Sequence, residues 1–270
     1  MTTHISFIGG GNMASAIIGG LLKQGMTAQQ IDVVEPYAEA RARLLAQFGI
    51  AALESPGPAL EKTSLVVWAV KPQTFKEAAL ATRAHTANAL HLSVAAGIRS
   101  DSIAGWLGTQ RIVRAMPNTP ALVGMGMTAL FGRPAVSAED RQLVERVIAT
   151  TGQYLWVDLE SQLDAVTALS GSGPAYVFYF LEAMTQAGVD MGLTHTQAHQ
   201  LAVGTFVGAS ELARASDESP DVLRQRVTSK GGTTYAAITS MEQAHMKDLF
   251  IRALHAAKDR ARELGDEFGA

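Results

Sequence analysis

The residue types best suited to chemistry lie in one run, Val227-Thr-Ser-Lys-Gly-Gly-Thr-Thr-Tyr-Ala-Ala-Ile-Thr-Ser-Met-Glu242. Two adjacent glycines, Gly231 and Gly232, lead into Thr233 and Thr234 and then into a helix-forming segment. Glycines permit a tight backbone, and the first N–H groups of the helix behind them have no partner inside the helix. With the positive end of the helix dipole they form a site for an anion. The hydroxyls of Ser229, Thr233 and Thr234 crowd the same point. The same letters also suit an ordinary helix cap, and the run alone does not decide between the two.

A second constellation stands near the N-terminus. The stretch Ile8-Gly-Gly-Gly-Asn-Met-Ala14 fits G-x-G-x-x-A, placed after an apolar run and at the start of a helical pattern. In that context Gly9 makes the tight turn, Gly11 lets a pyrophosphate approach the backbone, and Ala14 packs helix on strand. Glu35 follows at the end of the next apolar run, roughly 20 positions on, where dinucleotide folds bond the adenosine ribose. A carboxylate there repels a 2′-phosphate and favours NAD(H). Arg41 and Arg43 come soon after, on a helix where they also suit a water-facing side, so the choice between NADH and NADPH stays open. Lys71, followed by Pro72, closes a third apolar run, and Ala95-Ala96-Gly97 closes a fourth with small residues that admit close approach. In Pro117-Asn-Thr-Pro120 two prolines stiffen the loop, which is either a rigid connector or a mount for Asn118 at the reactive end of the cofactor.

These residues need elements to hold them. Strand patterns are expected at His4–Ile8, 31–34, 65–70, 89–94, 111–116, 126–131 and 153–157, with helices at 12–23, 38–48 and 138–150 between them. The fully apolar Leu65–Val70 reads as a parallel strand buried on both faces. Beyond Asp158 the pattern turns helical, at about 161–169, 174–191, 195–214, 221–227 and 234–263. The expected fold is thus an α/β Rossmann-like domain over residues 1–160, then an all-α domain over 161–270. No internal repeat or low-complexity tract interrupts it.

Composition narrows the function. Of 270 residues 47% are hydrophobic and 17% charged, enough apolar content to bury a sizeable core. The net charge is −3 with no basic block, which argues against nucleic acid or an anionic membrane as partner. With no cysteine there is no disulfide, thiolate zinc site or thiol nucleophile. No apolar run is long enough to span a bilayer and no signal sequence is evident, so a cytoplasmic location is expected. His195 and His199 share a helical face, but without the glutamate of H-E-x-x-H or a third ligand no metal site is expected.

Assembled, these segments resemble the pyrroline-5-carboxylate reductase family over nearly the whole length. The resemblance rests on Phe7-Ile-Gly-Gly-Gly-Asn-Met-Ala14, Ala69-Val-Lys-Pro72, Ala95-Ala-Gly97, Arg114-Ala-Met-Pro-Asn-Thr-Pro120, Gly171-Ser-Gly-Pro-Ala-Tyr176 and the run 227–242. It implies a Rossmann domain followed by a helical dimerisation domain, with dimers assembled further into rings such as a decamer. It implies NADPH or NADH as cofactor, held by Ile8, Gly9, Gly10, Gly11, Asn12 and Met13, by Ala69, Val70, Lys71 and Pro72, and by Ala95, Ala96 and Gly97. The substrate, 1-pyrroline-5-carboxylate, is implied at Gly232, Thr233 and Thr234, with Asp217 in the place of a family acidic residue. Two departures stand out: no asparagine lies in Glu54-Ser-Pro-Gly-Pro58, where relatives place one on the adenosine side, and Asp217 is shorter than the glutamate of some relatives.

The expected chemistry is hydride transfer to a cyclic imine, giving proline. Its carboxylate rests on the N–H groups at 232–234, Thr234 bonds the ring nitrogen as the catalytic hydroxyl, and Asp217 favours the iminium. Two rivals share the first half of the sequence. A β-hydroxyacid dehydrogenase needs a lysine on its long interdomain helix, and 174–191 has none. A non-catalytic NAD(P)-binding sensor has no use for Gly-Gly-Thr-Thr.

Overall fold

A computed structural model describes residues 3–269, in two compact units. The first comprises the chain up to Gly173 together with the return from Ala257, and the second runs from Pro174 to Ala256.

In the first unit strands and helices alternate: β1 (Ile5–Ile8), α1 (Asn12–Lys23), β2 (Ile31–Val34), α2 (Ala38–Phe48), β3 (Leu65–Trp68), α3 (Pro72–Thr82), β4 (Leu90–Ser93), α4 (Ser100–Leu107) and β5 (Ile112–Met116). Then come β6 (Gly126–Gly132), α5 (Ala138–Ile148), β7 (Gly152–Trp156) and the short α6 (Gln162–Val166), which continues into a π-helical turn at Thr167–Gly171. The sheet order is β2-β1-β3-β4-β5-β6-β7. Neighbours are parallel except β5 and β6, whose pairing is antiparallel, Val113 facing Gly132. The strand order reverses beside β1, and the carboxyl ends flanking such a switch point are where open α/β sheets bind ligands.

Both faces of the sheet are covered, which explains the apolar run at β3: all four of its residues are buried. Successive side chains alternate between faces. Leu65 and Val67 join Phe7, Val33 and Leu92 in one core layer, and Val66 and Trp68 join Ile8, Phe75 and Ile103 in the other. Each such side chain contributes about 1.5–3 kcal/mol through burial. Trp68 stacks on Phe75 with ring centroids 4.9 Å apart and donates its indole N–H to His91 Nδ1 at 3.1 Å.

The second unit holds α7 (Gly173–Asp190), α8 (His195–Ala215), α9 (Pro220–Arg226) and α10 (Thr233–Gln243), and α11 (Met246–Phe268) begins in it. The single helix expected over 234–263 is broken: α10 and α11 are separate. His245 takes φ +53°, and the Ala244 N–H bonds Ser240 O while that of His245 bonds Glu242 O. This is a left-handed helix stop at one of the non-glycine residue types that tolerate it best, and hydrophobic periodicity does not register it.

His91 gives the fold a pH dependence. Burial pushes its imidazole down to about 4, against a smaller upward pull from a hydrogen bond to the Thr86 backbone and a further downward push from Arg111. The unfolded chain therefore takes up this proton first as pH falls. The stabilisation is complete above about 6.5 and is lost between there and about 4, by about 3 kcal/mol in all. A His91→Gln variant keeps an acceptor for Trp68 and does not titrate. Its melting temperature should fall less than the wild type's between pH 7 and 5; parallel declines would contradict this.

Candidate active site

The N-terminal constellation folds into one loop. After β1 the backbone turns at Gly9 with φ +96°, and a Cβ there would stand 2.5 Å from the Ala69 carbonyl oxygen. Glycine is therefore required, because both the backbone angle and the contact with the end of β3 exclude a side chain. Gly10 donates its N–H to Glu35 Oε2 at 2.8 Å. Gly11 is the N-cap of α1, makes no side-chain cap bond, and has open space where a Cβ would point. Ala14, fully buried, lets α1 lie against the sheet. An uncapped helix end behind a glycine, with room in front of it, suits a pyrophosphate.

A cleft of about 1060 Å³ opens in front of this loop. Of the expected cofactor residues, Ile8, Gly9, Gly10, Gly11, Glu35, Ala69, Val70 and Lys71 line it. Asn12 and Met13 form the first turn of α1, and Pro72 opens α3 directly after Lys71. Ala95, Ala96 and Gly97 follow β4; Gly97 has φ +72°, with Leu264 and Phe268 of α11 3.4–3.5 Å from the position of a Cβ. The same end of α11 is tied down by Arg99 to Asp266 at 2.6 Å. Asn118 sits outside the cleft lining and braces the turn after β5: its Nδ2 donates to Ser170 O at 3.2 Å and its Oδ1 accepts the Met127 N–H at 2.9 Å.

Beside the glycine loop Glu35 is only 6% exposed. Its Oε1 accepts the Tyr37 N–H at 2.9 Å, so both carboxylate oxygens take a backbone donor. The two arginines of α2 part company. Arg41 Nη1 donates to the carbonyls of Glu35 (3.0 Å) and Pro36 (2.7 Å), and its Nη2 lies 3.5 Å from Glu54, whereas Arg43 is exposed and lines the cleft. Tyr37, Ser55 and Pro56 line it too. Sequence reasoning missed Tyr37 and left Arg43 undecided; their signal was position, immediately behind the acidic end of β2. Glu54 and its neighbours reach the cleft because Leu53 bridges to Val34 beside β2.

In the second unit the run 227–242 forms the turn and helix it was expected to form. Gly231 has φ +79°, and Gly232 is the N-cap of α10 with no side-chain cap bond. Thr233 and Thr234 open the helix, Thr234 half-buried. The Gly232 N–H goes to Ser229 O at 3.0 Å, which closes the turn. Asp217 is exposed in the turn before α9. That turn is joined to α9 by Glu218 and Arg226, at 2.5 Å, and α9 is joined to α10 by Arg224 and Glu242, at 3.2 Å. His195 and His199 stack on one face of α8, and among the described residues no group of three His, Cys, Asp or Glu could hold a metal.

The sheet order, the glycine turn into an open helix end and the cleft beside an acidic strand end define a Rossmann-type, dinucleotide-dependent oxidoreductase. Comparisons with known proteins agree and go further. Residues 4–97 match the family described as NADP oxidoreductase, coenzyme F420-dependent, and residues 160–264 match pyrroline-5-carboxylate reductase dimerisation. The pyrroline-5-carboxylate reductase of Pseudomonas aeruginosa is 44% identical over 99% of both chains. A solved pyrroline-5-carboxylate reductase from Coxiella burnetii superposes with a TM-score of 0.91 at 38% identity, covering 98% of this chain and 99% of that one. The Plasmodium falciparum pyrroline carboxylate reductase, solved with NADP bound, gives 0.88 at 26% identity over 98% of both chains. The chain belongs to the pyrroline-5-carboxylate reductase family.

Two glycine substitutions separate folding from binding. Gly9→Ala meets both the positive φ and the Ala69 carbonyl, and should destabilise the protein by about 2 kcal/mol or more. Gly11→Val puts its side chain into open cleft, so thermal unfolding should change little while dinucleotide affinity falls about tenfold or more. Melting curves and fluorescence titration measure the two; a Gly11→Val protein that binds like wild type would contradict the assignment of the loop.

Proposed function

We propose that this chain is a pyrroline-5-carboxylate reductase that converts 1-pyrroline-5-carboxylate to L-proline, the last step of proline biosynthesis, with NADPH or NADH as reductant. Residues 1–160 serve the dinucleotide, and residues 161–270 serve the substrate and the contact between subunits. The observation that carries this reading is the recurrence of one device in both units: a helix N-terminus opened by a glycine, at Gly11 before the cleft and at Gly232 before Thr233 and Thr234. The first suits a pyrophosphate and the second a carboxylate.

Bound in the cleft, the reduced nicotinamide supplies a hydride equivalent. The residues of the chain present the imine to it. The N–H groups of Thr233 and Thr234 take the substrate carboxylate and fix the ring, so that much of the rate comes from orientation. The Thr234 hydroxyl bonds the ring nitrogen. An aliphatic hydroxyl is too weak an acid to protonate an imine outright, so Thr234 orients and relays. Asp217 favours the protonated iminium through its charge. Hydride received at the C=N carbon of the protonated iminium would send the π electron pair to nitrogen, which already carries its proton, and so give proline. A β-hydroxyacid dehydrogenase is not favoured, since α7 carries no lysine.

Association into homodimers is supported by how little the helical unit buries. α9 and α10 have no buried residue, and α7 exposes Phe178 (59%) and Tyr179 (70%). Apolar surface on this scale marks an interface. The family resemblance supports further assembly of dimers into a ring such as a decamer. Among the described residues no helix is long and apolar enough to cross a bilayer.

NADPH and NADH consumption in the presence of 1-pyrroline-5-carboxylate, with proline as product, tests the activity; binding without turnover would bring the sensor reading forward. Thr234→Ala should lower kcat/KM by about 10- to 100-fold. Undiminished efficiency would remove Thr234 from the mechanism. Light scattering should give a mass of two chains or a multiple of two.

A further inference from the structure

We infer that Glu35 makes this enzyme prefer NADH, by fixing a carboxylate where the 2′-phosphate of NADPH has to be received. The inference rests on the dinucleotide-dependent reductase reading. It concerns side chains of this chain and not a property of the family, since one relative has been solved with NADP bound.

Glu35 directly follows β2 and lines the cleft at the position where Rossmann folds receive the adenosine ribose. A carboxylate on a free side chain could swing away from an incoming phosphate. This one cannot do so cheaply. Its two oxygens hold the N–H groups of Gly10 and Tyr37, so moving it strips a donor from the glycine loop and another from the turn into α2. The space beside Gly10 is tight as well: a Cβ there would lie 2.6 Å from Leu44 Cδ1 and 3.4 Å from Glu35 Oε2. The lone pairs left on the carboxylate suit ribose hydroxyls, which donate, and repel a phosphate, which only accepts.

The surroundings point the same way. Glu39 and Glu54 line the same cleft. Arg41, the cation nearest the strand end in sequence, is spent on the carbonyls of Glu35 and Pro36 and on Glu54. Arg43 is left as the cation of α2 that lines the cleft; with Lys71 it stands against the four carboxylates of Glu35, Glu39, Glu54 and Glu77.

The test is the binding of NADH and NADPH to the full-length protein, each followed by the fluorescence of the reduced nicotinamide, alongside kcat/KM for both. Wild type should bind NADH at least about tenfold more tightly than NADPH. Glu35→Gln should move the two in opposite directions, weakening NADH and tightening NADPH, which a merely structural role for Glu35 would not do. Glu54→Gln, at an exposed position, should tighten NADPH more than NADH, so the inference stays testable if Glu35→Gln folds poorly. Equal or tighter NADPH binding in wild type would overturn the inference and leave the reductase reading intact, as would a Glu35→Gln protein that weakens both cofactors alike. Binding of neither cofactor to wild type would overturn the dinucleotide reading itself, and the inference with it.

Discussion

A helix begins with N–H groups that its own backbone cannot satisfy, and the way this chain distributes that deficit organises both units. Some helix ends are closed by side chains. Ser137 with Asp140 and Thr194 with Gln197 form capping boxes on α5 and α8, and Glu160 reaches across to the Ser100 N–H at α4. Pro72 removes one donor from α3 by its covalent structure. At α1 and α10 the N-cap is a glycine with no side chain to close the end. Leaving donors open costs some helix stability and creates a place for an anion, which in the proposed chemistry would be a pyrophosphate at one end and a substrate carboxylate at the other.

Such a device works only if its backbone cannot drift. Around Gly11 the restraint comes from the sheet: Gly9 is pressed on the Ala69 carbonyl, Gly10 is tethered to Glu35, and Glu35 is backed by the Arg41 brace on its own carbonyl. β1, β2 and β3 thus meet at one point through two hydrogen bonds and one contact. Around Gly232 the restraint is the Ser229 turn and the chain of ion pairs from Glu218 through α9 to Glu242. The second scaffold is more exposed: α9 and α10 bury no residue and α7 leaves large apolar side chains uncovered.

Much of this was legible in the sequence because it is written locally. The seven strands, the glycine turn and the start of α10 each depend on residues within a few positions of one another, and period and turn chemistry report them directly. Three features were not legible for the opposite reason. The stop at His245 is a backbone state adopted by a residue with no glycine-like signal. The division of labour between Arg41 and Arg43 depends on which carbonyls a guanidinium meets after folding. The return of α11 to Gly97 and Arg99 joins positions far apart in the chain, and no local pattern encodes it.

Capture of a carboxylate by the open end of α10 is the point on which the catalytic reading turns. The most direct measurement compares kcat/KM for 1-pyrroline-5-carboxylate and for 1-pyrroline, the same cyclic imine without the carboxylate. Two charge-assisted hydrogen bonds at about 1.5 kcal/mol each correspond to a loss of about 100-fold for the truncated ring. A loss of that size, abolished when Gly232 is replaced by a residue whose side chain caps the helix, is the expected result. Comparable efficiency on the two imines would contradict carboxylate capture at Gly232–Thr234 and with it the role given to the helix end.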